Sequence, residues 1–332
     1  MVTIKDVAKE AGVAISTVSN VLNGVDIVSE EKKQLVLAAV EKLKYVPNMN
    51  AKLLKSSRKN TIGLFLTSIQ GDFYRMLLQS IHIQCKLKGY LLNIYISNEN
   101  TSEEIYSMIL SSGVEGAIVF NEQLQDEYIE RIAQTNMPLV FIDREYRGDG
   151  MSSVTIDNLE GAMLAVEYLI KQGNRRIGYI HGVYNHDDDA RFDAYLKVMA
   201  KYNLPVDENI ILRGYFEEAV AYSEMRVLLL RKVKMPDAFF CANDEMAFGC
   251  IRAVSEFGYG VPEALSVIGF DDIGISYYNN PALTTIHSPV TELGAVSVTE
   301  LLRLMAEKKP VHGEIVKLKP SLVVRDSCKF RI

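Results

Sequence analysis

Five acidic or amide side chains stand where they could bind a small ligand through hydrogen bonds. Each closes an apolar, β-rich run of the chain: Asp143, Asn243, Asp244, Asp271 and Asp272. Carboxylates accept hydrogen bonds, and the asparagine amide both donates and accepts them. In open α/β sheets, ligands bind just beyond the carboxyl ends of the strands. These side chains are therefore candidates for a ligand-binding site.

Catalytic residues are not evident. Four histidines stand singly among apolar or turn residues: His82, His181, His287 and His312. They are not accompanied by a Ser/His/Asp arrangement or a carboxylate pair in a recognisable motif. The Gly-x-Gly at 258–260 follows a helical stretch instead of a strand, which is the wrong context for a phosphate-binding turn. We predict that the chain is not an enzyme and needs no cofactor.

A metal site is not predicted either. Four adjacent loop residues, as at 186–189, cannot all point at one ion, so we interpret this His-Asp-Asp-Asp run as a solvated loop or cleft rim that disfavours anionic ligands. The cysteines lack zinc-type spacing and a C-x-x-C pair, which favours buried thiols. They are Cys85, Cys241, Cys250 and Cys328.

The candidate ligand residues need sheets to position them, and the sequence predicts two. Apolar runs alternate with helical stretches in two series, the first at 61–66, 91–96, 116–120 and 138–143, the second at 176–180, 237–242 and 265–271. Near-continuous apolar strands separated by helices favour parallel sheets covered on both faces. We therefore expect an α/β body of two doubly wound parallel-sheet lobes.

The first residues predict a different kind of module. A short amphipathic helix, a turn at Gly12 and a second short helix occupy 3–23, and a third helix is expected over 29–43. This is a helix-turn-helix layout. The net charge of −6 hides a basic head, since residues 1–60 carry 10 Lys+Arg and 6 Asp+Glu whereas the remainder carries 26 and 36. Positive charge is thus concentrated where DNA phosphates would be met.

Several motifs make the sequence similar to the lactose-repressor (LacI/GalR) family of bacterial transcription regulators. They are Thr3-Ile-Lys-Asp-Val-Ala8, Ser16-Thr-Val-Ser-Asn-Val-Leu-Asn23, Tyr45-Val-Pro-Asn48, Ala51-Lys-Leu-Leu54 and Cys241-Ala-Asn-Asp-Glu-Met-Ala-Phe-Gly249. The resemblance implies a three-helix head at 1–47, a hinge helix and linker at 48–60, and a periplasmic-binding-protein-like body at 61–332. Lobe 1 would comprise about 61–157 and 289–320, and lobe 2 about 158–288 and 321–332.

The resemblance and helix-turn-helix geometry together imply which residues contact DNA. Ile15, Ser16 and Asn20 would face base edges in the major groove. Phosphates would be held by Thr3, Lys5, Thr17, Ser19 and Asn23. In the hinge, Leu54 would wedge into the minor groove beside Lys52 and Lys55. Ala14 and Asn20 depart from the family pattern, in which a capping Ser and often an Arg are found.

The resemblance also implies an effector site between the lobes, formed by Phe73, Tyr74, Asp143, Arg191, Phe216, Asn243 and Asp271. Arg forks and carboxylates bind vicinal hydroxyls, and aromatic faces cover the apolar side of a sugar ring. The expected function is an allosteric repressor of sugar-utilisation genes. A relative controlled by a purine or nucleoside, or by a protein partner, is the alternative.

The assembly and location follow from the same interpretation. One head reads half a site, so a homodimer on a pseudo-palindromic operator in double-stranded DNA is expected. Segments 74–88, 222–230 and 291–307 are candidate dimer faces. The sequence has no long apolar run for a membrane span and no secretory signal, which favours the cytoplasm.

Overall fold

A computed structural model describes residues 2–22, 24–45, 60–97, 101–307 and 309–330. The chain divides into two compact units, 1–59 and 60–332.

The first unit contains a three-helix core. Its helices are α1 (Ile4–Ala11), α2 (Ile15–Leu22) and α3 (Glu30–Leu43). Helix α1 begins where the Asp6 carboxylate accepts hydrogen bonds from the N–H and the hydroxyl of Thr3, at 2.8 and 2.7 Å. It ends at Gly12, whose φ of 62° places it in the left-handed region. The three helices share one small apolar core, which confirms the predicted helix-turn-helix.

The second unit contains two six-stranded sheets. Sheet 1 has the order β11-β5-β4-β3-β1-β2, and all of its strand pairs are parallel. Its strands are β1 (Thr61–Leu66), β2 (Leu91–Ile96), β3 (Gly116–Phe120), β4 (Leu139–Ile142), β5 (Met151–Ile156) and β11 (Ile315–Leu318). Its helices are α4 (Asp72–Leu87), α5 (Ser102–Ser111), α6 (Asp126–Ala133) and α12 (Val290–Ala306).

Sheet 2 has the order β12-β10-β9-β8-β6-β7, and only β12 runs antiparallel to its neighbour among the described strands. Its strands are β6 (Ile177–His181), β7 (Ile211–Arg213), β8 (Ala238–Cys241), β9 (Ser266–Asp271), β10 (Thr284–His287) and β12 (Ser321–Val323). Its helices are α7 (Asn158–Lys171), α8 (His186–Lys201), α9 (Glu218–Leu230), α10 (Asp244–Glu256) and α11 (Ile275–Tyr278), with a 3₁₀ turn at Glu208–Ile210.

The chain passes between the sheets three times. It leaves sheet 1 after β5, returns to it after β10 and leaves again after β11. Lobe 1 below means the part built on sheet 1, and lobe 2 the part built on sheet 2.

The polar residues that end or follow β4, β8 and β9 lie at the carboxyl ends of these strands, where parallel sheets bind ligands. None of the described helices is both long and apolar enough to cross a membrane.

Helices α9 and α10 approach each other closely at a glycine. A Cβ added at Gly249 would lie 2.3 Å from the Glu218 carbonyl oxygen and 2.8 Å from the Tyr222 nitrogen. These are backbone atoms, which cannot rotate away as a side-chain end can. Gly274, in contrast, has an ordinary φ of −54° and nothing within 4 Å of the added Cβ.

We expect Gly249→Ala to destabilise the protein by about 1–3 kcal/mol, the usual cost of overpacking. Gly274→Ala is the matched control and should leave the free energy of unfolding nearly unchanged. Urea unfolding followed by circular dichroism measures both. Equal stabilities for the two variants would contradict the close helix contact.

Candidate DNA-reading surface and effector cleft

Helix α2 carries the residues predicted to read bases. Ile15 is 41% exposed, Ser16 is exposed and Asn20 is half-buried. Val18, on the same helix, is fully buried in the core of the head. The start of α2 therefore presents an apolar and a hydroxyl side chain to solvent, with an amide one turn further on. Such a set can contact base edges in a major groove.

The residues predicted to hold phosphates differ in their surroundings. Thr17 and Ser19 are half-buried on α2, and Lys5 is exposed on α1. Thr3 is exposed, but its hydroxyl already donates to the Asp6 carboxylate. The remaining predicted contacts lie outside the described residues: Asn23, Lys52, Leu54 and Lys55.

Helix α2 begins without a capping side chain. The Ala14 carbonyl accepts hydrogen bonds from the N–H groups of Thr17 and Val18, at 2.9 and 3.2 Å, so Ala14 occupies the N-cap position. Alanine has no side-chain oxygen for the first free N–H groups of the helix. The departure from the family pattern is therefore a missing cap.

In the second unit, Arg191 on α8 is only 4% exposed and lies beside Asn158, which lines the cleft. Its guanidinium carbon lies 3.8 Å from the centre of the Phe270 ring. Its nitrogens donate to Asn158 Oδ1 at 2.9 Å and to the Ala242 carbonyl, and Nη2 lies 3.9 Å from Asp271 Oδ1. One side chain thus connects the ends of two strands with the first residue of α7.

Carboxylates from both lobes surround this guanidinium. Asp143 follows β4 in lobe 1, whereas Asp187 and Asp271 belong to lobe 2. Burial raises the pKa of Asp187 and of Asp271 to about 6, although Arg191 opposes the shift. Burial, reinforced by the charge of Asp187, raises the pKa of Asp143 well above its ordinary value of 3.8. The cleft therefore places three carboxyl groups near one arginine, and burial disfavours the charged form of each of them.

Three of the predicted effector residues have left-handed backbone conformations. The φ angles are 54° at Asp143, 63° at Phe216 and 107° at Asp271. Such conformations cost on the order of 1–3 kcal/mol each outside glycine, and they concentrate at functional sites. The Phe216 ring lies 6.0 Å from the Arg191 guanidinium carbon. The structure therefore maintains strained backbone on both sides of the cleft.

Phe73 and Tyr74 form an aromatic wall on lobe 1, in the first turn of α4. Their rings lie 5.9 and 5.4 Å from the ring of Phe120. Tyr74 Oη is 3.4 Å from Thr67 Oγ1. Burial raises the pKa of Tyr74, and the charges of three nearby carboxylates add to the shift. Tyr74 therefore lies close to the acidic part of the cleft.

Asn243 caps helix α10. Its Oδ1 accepts the Met246 N–H at 2.9 Å, and its Nδ2 donates to the Phe216 carbonyl at 3.2 Å. These bonds use much of the amide's capacity. In this structure, Asn243 holds the strained Phe216 in position.

Two further strand-closing residues, Asp244 and Asp272, also have internal partners within lobe 2. Asp244 is buried and accepts hydrogen bonds from the hydroxyls of Ser276 and Thr285, at 2.6 and 2.5 Å. Burial nevertheless raises its pKa to about 8. Asp272 pairs with Arg325 at 2.5 Å. These two carboxyl groups support the loop after β9 from within.

Of the interpretation of 186–189 as a solvated loop or cleft rim, the loop is wrong, because these residues form the first turn of α8, whereas His186 and Asp187 do line the cleft. Asn185 caps the helix by accepting the Asp188 N–H at 2.8 Å. Helical periodicity turns the carboxylates in different directions, so that Asp187 lines the cleft, Asp188 is 1% exposed and Asp189 is exposed. Within the described ranges, no group of three or more His, Cys, Asp or Glu side chains could hold a metal ion.

Asp188 fixes the start of α8 against the end of β6. Its carboxylate accepts hydrogen bonds from the Tyr179 hydroxyl at 3.0 Å and the Gly182 N–H at 2.9 Å, and lies 2.7 Å from His181 Nδ1. The neighbouring Asp187 is thereby directed into the cleft.

Two hydrogen bonds join lobe 1 to lobe 2 across the cleft. Asn185 donates to Glu122 Oε1 at 2.9 Å, and the Asp72 N–H at the start of α4 donates to Glu245 Oε1 at 3.3 Å. Burial raises the pKa of Glu122 to about 7. The angle between the lobes therefore depends on carboxylates that lie near the effector cleft.

Sequence reasoning missed three residues that the structure places at the cleft, Glu122, Thr155 and Asn158, and included Asp187 only within the run at 186–189. A cavity of about 480 Å³ beside the lobe crossings is lined by Asp143, Thr155, Asn158 and Asp187, among others. Glu122 lies opposite Asn185. Asn158 follows directly on the first crossing, a position that could have indicated it.

A helix-turn-helix head followed by two parallel-sheet lobes with a polar cleft defines the class of ligand-responsive DNA-binding regulators. The sequence matches the family model described as bacterial regulatory proteins, lacI family, over residues 3–48, and the periplasmic binding protein-like domain over residues 166–328.

The chain is 34% identical over 337 residues, covering 100% of both chains, to the HTH-type transcriptional repressor PurR of Pasteurella multocida (strain Pm70). The chain belongs to the lacI family and is a DNA-binding regulator, not an enzyme.

Solved structures of DNA-binding regulators have the same fold. The lac repressor dimer bound to operator and the anti-inducer ONPF matches with a TM-score of 0.84 and 28% identity, covering 99% of each chain. The transcriptional regulator CelR in complex with cellobiose matches with a TM-score of 0.72 and 26% identity, covering 98% of this chain and 100% of that one.

Replacing the missing cap should strengthen the head. We expect Ala14→Ser to stabilise α2 by about 1 kcal/mol and to tighten DNA binding. Amide hydrogen exchange of α2 in the full chain, together with binding to its DNA, measures both effects. Unchanged exchange and unchanged affinity would refute the capping argument.

Removing a cleft carboxylate should stabilise the protein at alkaline pH. The pKa of Asp187 is about 6 in the folded protein against an ordinary 3.8, so the folded state holds the proton more tightly. Stability is therefore lost as pH rises from about 4 to 6, and the loss is complete above that range. We expect Asp187→Asn to raise Tm by roughly 2 °C at pH 8.

The same substitution should have little effect at pH 4, because Asp187 is then largely protonated in the folded protein. Asp189→Asn, one residue away and exposed, is the matched control. Thermal denaturation at both pH values measures the difference. A fall in Tm at pH 8 would rule out the proposed charge repulsion.

Proposed function

We propose that the protein is a homodimeric transcriptional repressor of sugar-utilisation genes. Its heads bind a pseudo-palindromic operator, and a sugar bound between the lobes changes operator affinity. The observation that carries the proposal is the buried Arg191, surrounded by carboxylates of both lobes beside a cavity of about 480 Å³. Such a repressor acts in the bacterial cytoplasm, where the DNA is.

The donor and acceptor set of the cleft favours a polyhydroxylated ligand. Asp143 and Asp271 can each accept hydrogen bonds from two hydroxyls, and Arg191 can donate to others. Tyr74 and Phe216 supply aromatic faces for the apolar side of a sugar ring. The excess of carboxylates disfavours phosphorylated sugars, because two buried charges of the same sign repel each other.

Binding in this cleft provides a means of allosteric control. A ligand that contacts both Asp143 and Asp271 joins lobe 1 to lobe 2, as does the hydrogen bond from Asn185 to Glu122. Its affinity then depends on the lobe angle, and by linkage the lobe angle depends on the ligand. In the family architecture the hinge segment directly precedes lobe 1 along the chain, so a change in the lobes is transmitted to the heads through it.

A purine or nucleoside effector is the second candidate. Relatives named PurR align along the whole chain. A purine ring could stack on Tyr74 or Phe216, and its N–H groups could donate to Asp143 or Asp271.

The proposed dimer would bury an exposed apolar surface on lobe 1. Edge strand β2 and helix α4 expose five large apolar side chains, by 42–72%: Ile83, Leu87, Leu91, Ile94 and Ile96. Exposed apolar patches of this kind mark interaction sites. Helix α12, another candidate and itself part of lobe 1, contributes its buried apolar residues to the core of that lobe.

The test is fluorescence anisotropy of the full chain on DNA from its own upstream region, at one fixed salt concentration. We expect palindrome-dependent binding whose affinity changes about 5–150-fold with a sugar, the usual range of allosteric coupling. Arg191→Lys should abolish this response and retain operator binding, because lysine lacks the guanidinium fork. Arg252→Lys, exposed on α10, is the matched control.

The outcomes separate the candidates. A response to purines or nucleosides alone would replace the sugar with the second candidate. Specific DNA binding that no compound alters would instead favour control by a protein partner, and a response retained in Arg191→Lys would remove Arg191 from the proposed site.

A further inference from the structure

Helix α4 of lobe 1 begins without a capping side chain in its own turn. Its N-cap residue is Gly71, which has no side-chain oxygen and has a φ of 89°, in the left-handed region. The next residue, Asp72, uses its carboxylate to accept a hydrogen bond from Arg75 Nε at 2.7 Å. The first N–H groups of a helix have no partner within the helix, so they need one from elsewhere.

A partner for the first of these N–H groups comes from lobe 2. Glu245, the second residue of α10, accepts the Asp72 N–H through Oε1 at 3.3 Å. A Cβ added at Gly71 would lie 3.0 Å from the same oxygen and 3.7 Å from the carboxyl carbon, so the carboxyl group lies directly against the Gly71 backbone. A carboxylate in this position bonds a free N–H and also interacts favourably with the helix dipole. Glu245 therefore takes the place of a capping side chain, although it belongs to the opposite lobe.

We propose that Glu245 caps α4 only while the lobes are close together, so that the lobe angle controls the order of the first turn of this helix. The donor belongs to lobe 1 and the acceptor to lobe 2. Because the bond is already 3.3 Å long, a further separation of about 1 Å is enough to break it. This coupling needs no particular effector.

The capped turn carries two of the predicted effector residues. Phe73 and Tyr74 directly follow Asp72, and their rings form the aromatic wall of lobe 1. Helix ends fray when their free N–H groups lack partners. Closing the lobes therefore orders this wall at the same time as it brings lobe 2 near, and opening the lobes loosens it. A ligand that contacts the wall then binds the closed protein better than the open one.

The experiment is amide hydrogen exchange of the full chain, measured by mass spectrometry over residues 72–78 without effector or DNA. We expect Glu245→Ala to speed exchange there about fivefold, which corresponds to the loss of about 1 kcal/mol that removal of a helix cap usually causes. Glu245→Gln keeps an acceptor oxygen at the same reach and should restore most of the protection.

Glu103→Ala is the matched control for Glu245→Ala. Glu103 is exposed and is the second residue of α5, the same place that Glu245 has in α10. Both substitutions remove a carboxylate from the first turn of a helix, but only Glu245 contacts the start of α4. We expect exchange over 72–78 to be unchanged in Glu103→Ala.

A distant variant tests whether the cap follows the lobe angle. Asn185 caps α8 through Oδ1 and donates to Glu122 of lobe 1 through Nδ2. Aspartate caps a helix as well as asparagine does but cannot donate, so Asn185→Asp keeps the cap of α8 and sets two carboxylates against each other across the cleft. We expect exchange over 72–78 to rise by roughly twofold, because the broken pair is exposed, while the first turn of α8 exchanges as before.

Three results would overturn the inference. Unchanged exchange in Glu245→Ala would show that this carboxyl group does not cap α4. Equally fast exchange in Glu103→Ala would attribute the change to general destabilisation. Faster exchange in Glu245→Ala together with unchanged exchange in Asn185→Asp would show a cap that does not follow the lobe angle. Because neither effector nor operator takes part, none of these results bears on the proposed sugar.

Discussion

The contact of the Arg191 guanidinium with its neighbours is the interaction on which the cleft depends. A buried charge is costly unless it is paired and hydrogen-bonded. Arg191 meets this condition with the Asn158 amide, the Ala242 carbonyl and Asp271, and its flat face lies on Phe270. These partners lie at the ends of β8 and β9 and at the start of α7. One side chain therefore links the carboxyl-terminal edge of sheet 2 to the first lobe crossing.

Much of the fold could be predicted because its signals are local. Apolar runs separated by helical stretches predicted the parallel sheets, and the short helices around Gly12 predicted the head. Asp143 and Asp271 were found for the same reason, since each closes an apolar run and the structure places each at a strand end. Phe216 and Arg191 came only from the family resemblance.

The rest of the cleft depends on information that the chain order does not contain. One exception is the start of α8: Asn185, followed after His186 by three acidic residues, is a signal for the start of a helix, and the interpretation of 186–189 as a loop missed it. Thr155 lines a cavity that residues of both lobes enclose together. Asn243 lies where a ligand residue was expected, but capping bonds decide its orientation. Such facts require the tertiary structure.

The way α8 begins has a consequence for how the family can diversify. Asn185 caps the helix and Asp188 anchors it to β6, so the fold of this turn does not depend on the side chain at position 187. That position projects into the cleft from a backbone that its neighbours hold in place. Mutations there can change the charge that the cleft presents while the helix and both sheets persist. Ligand preference can thus change between related proteins by a single substitution at this position, and no variant along the way needs to lose its fold.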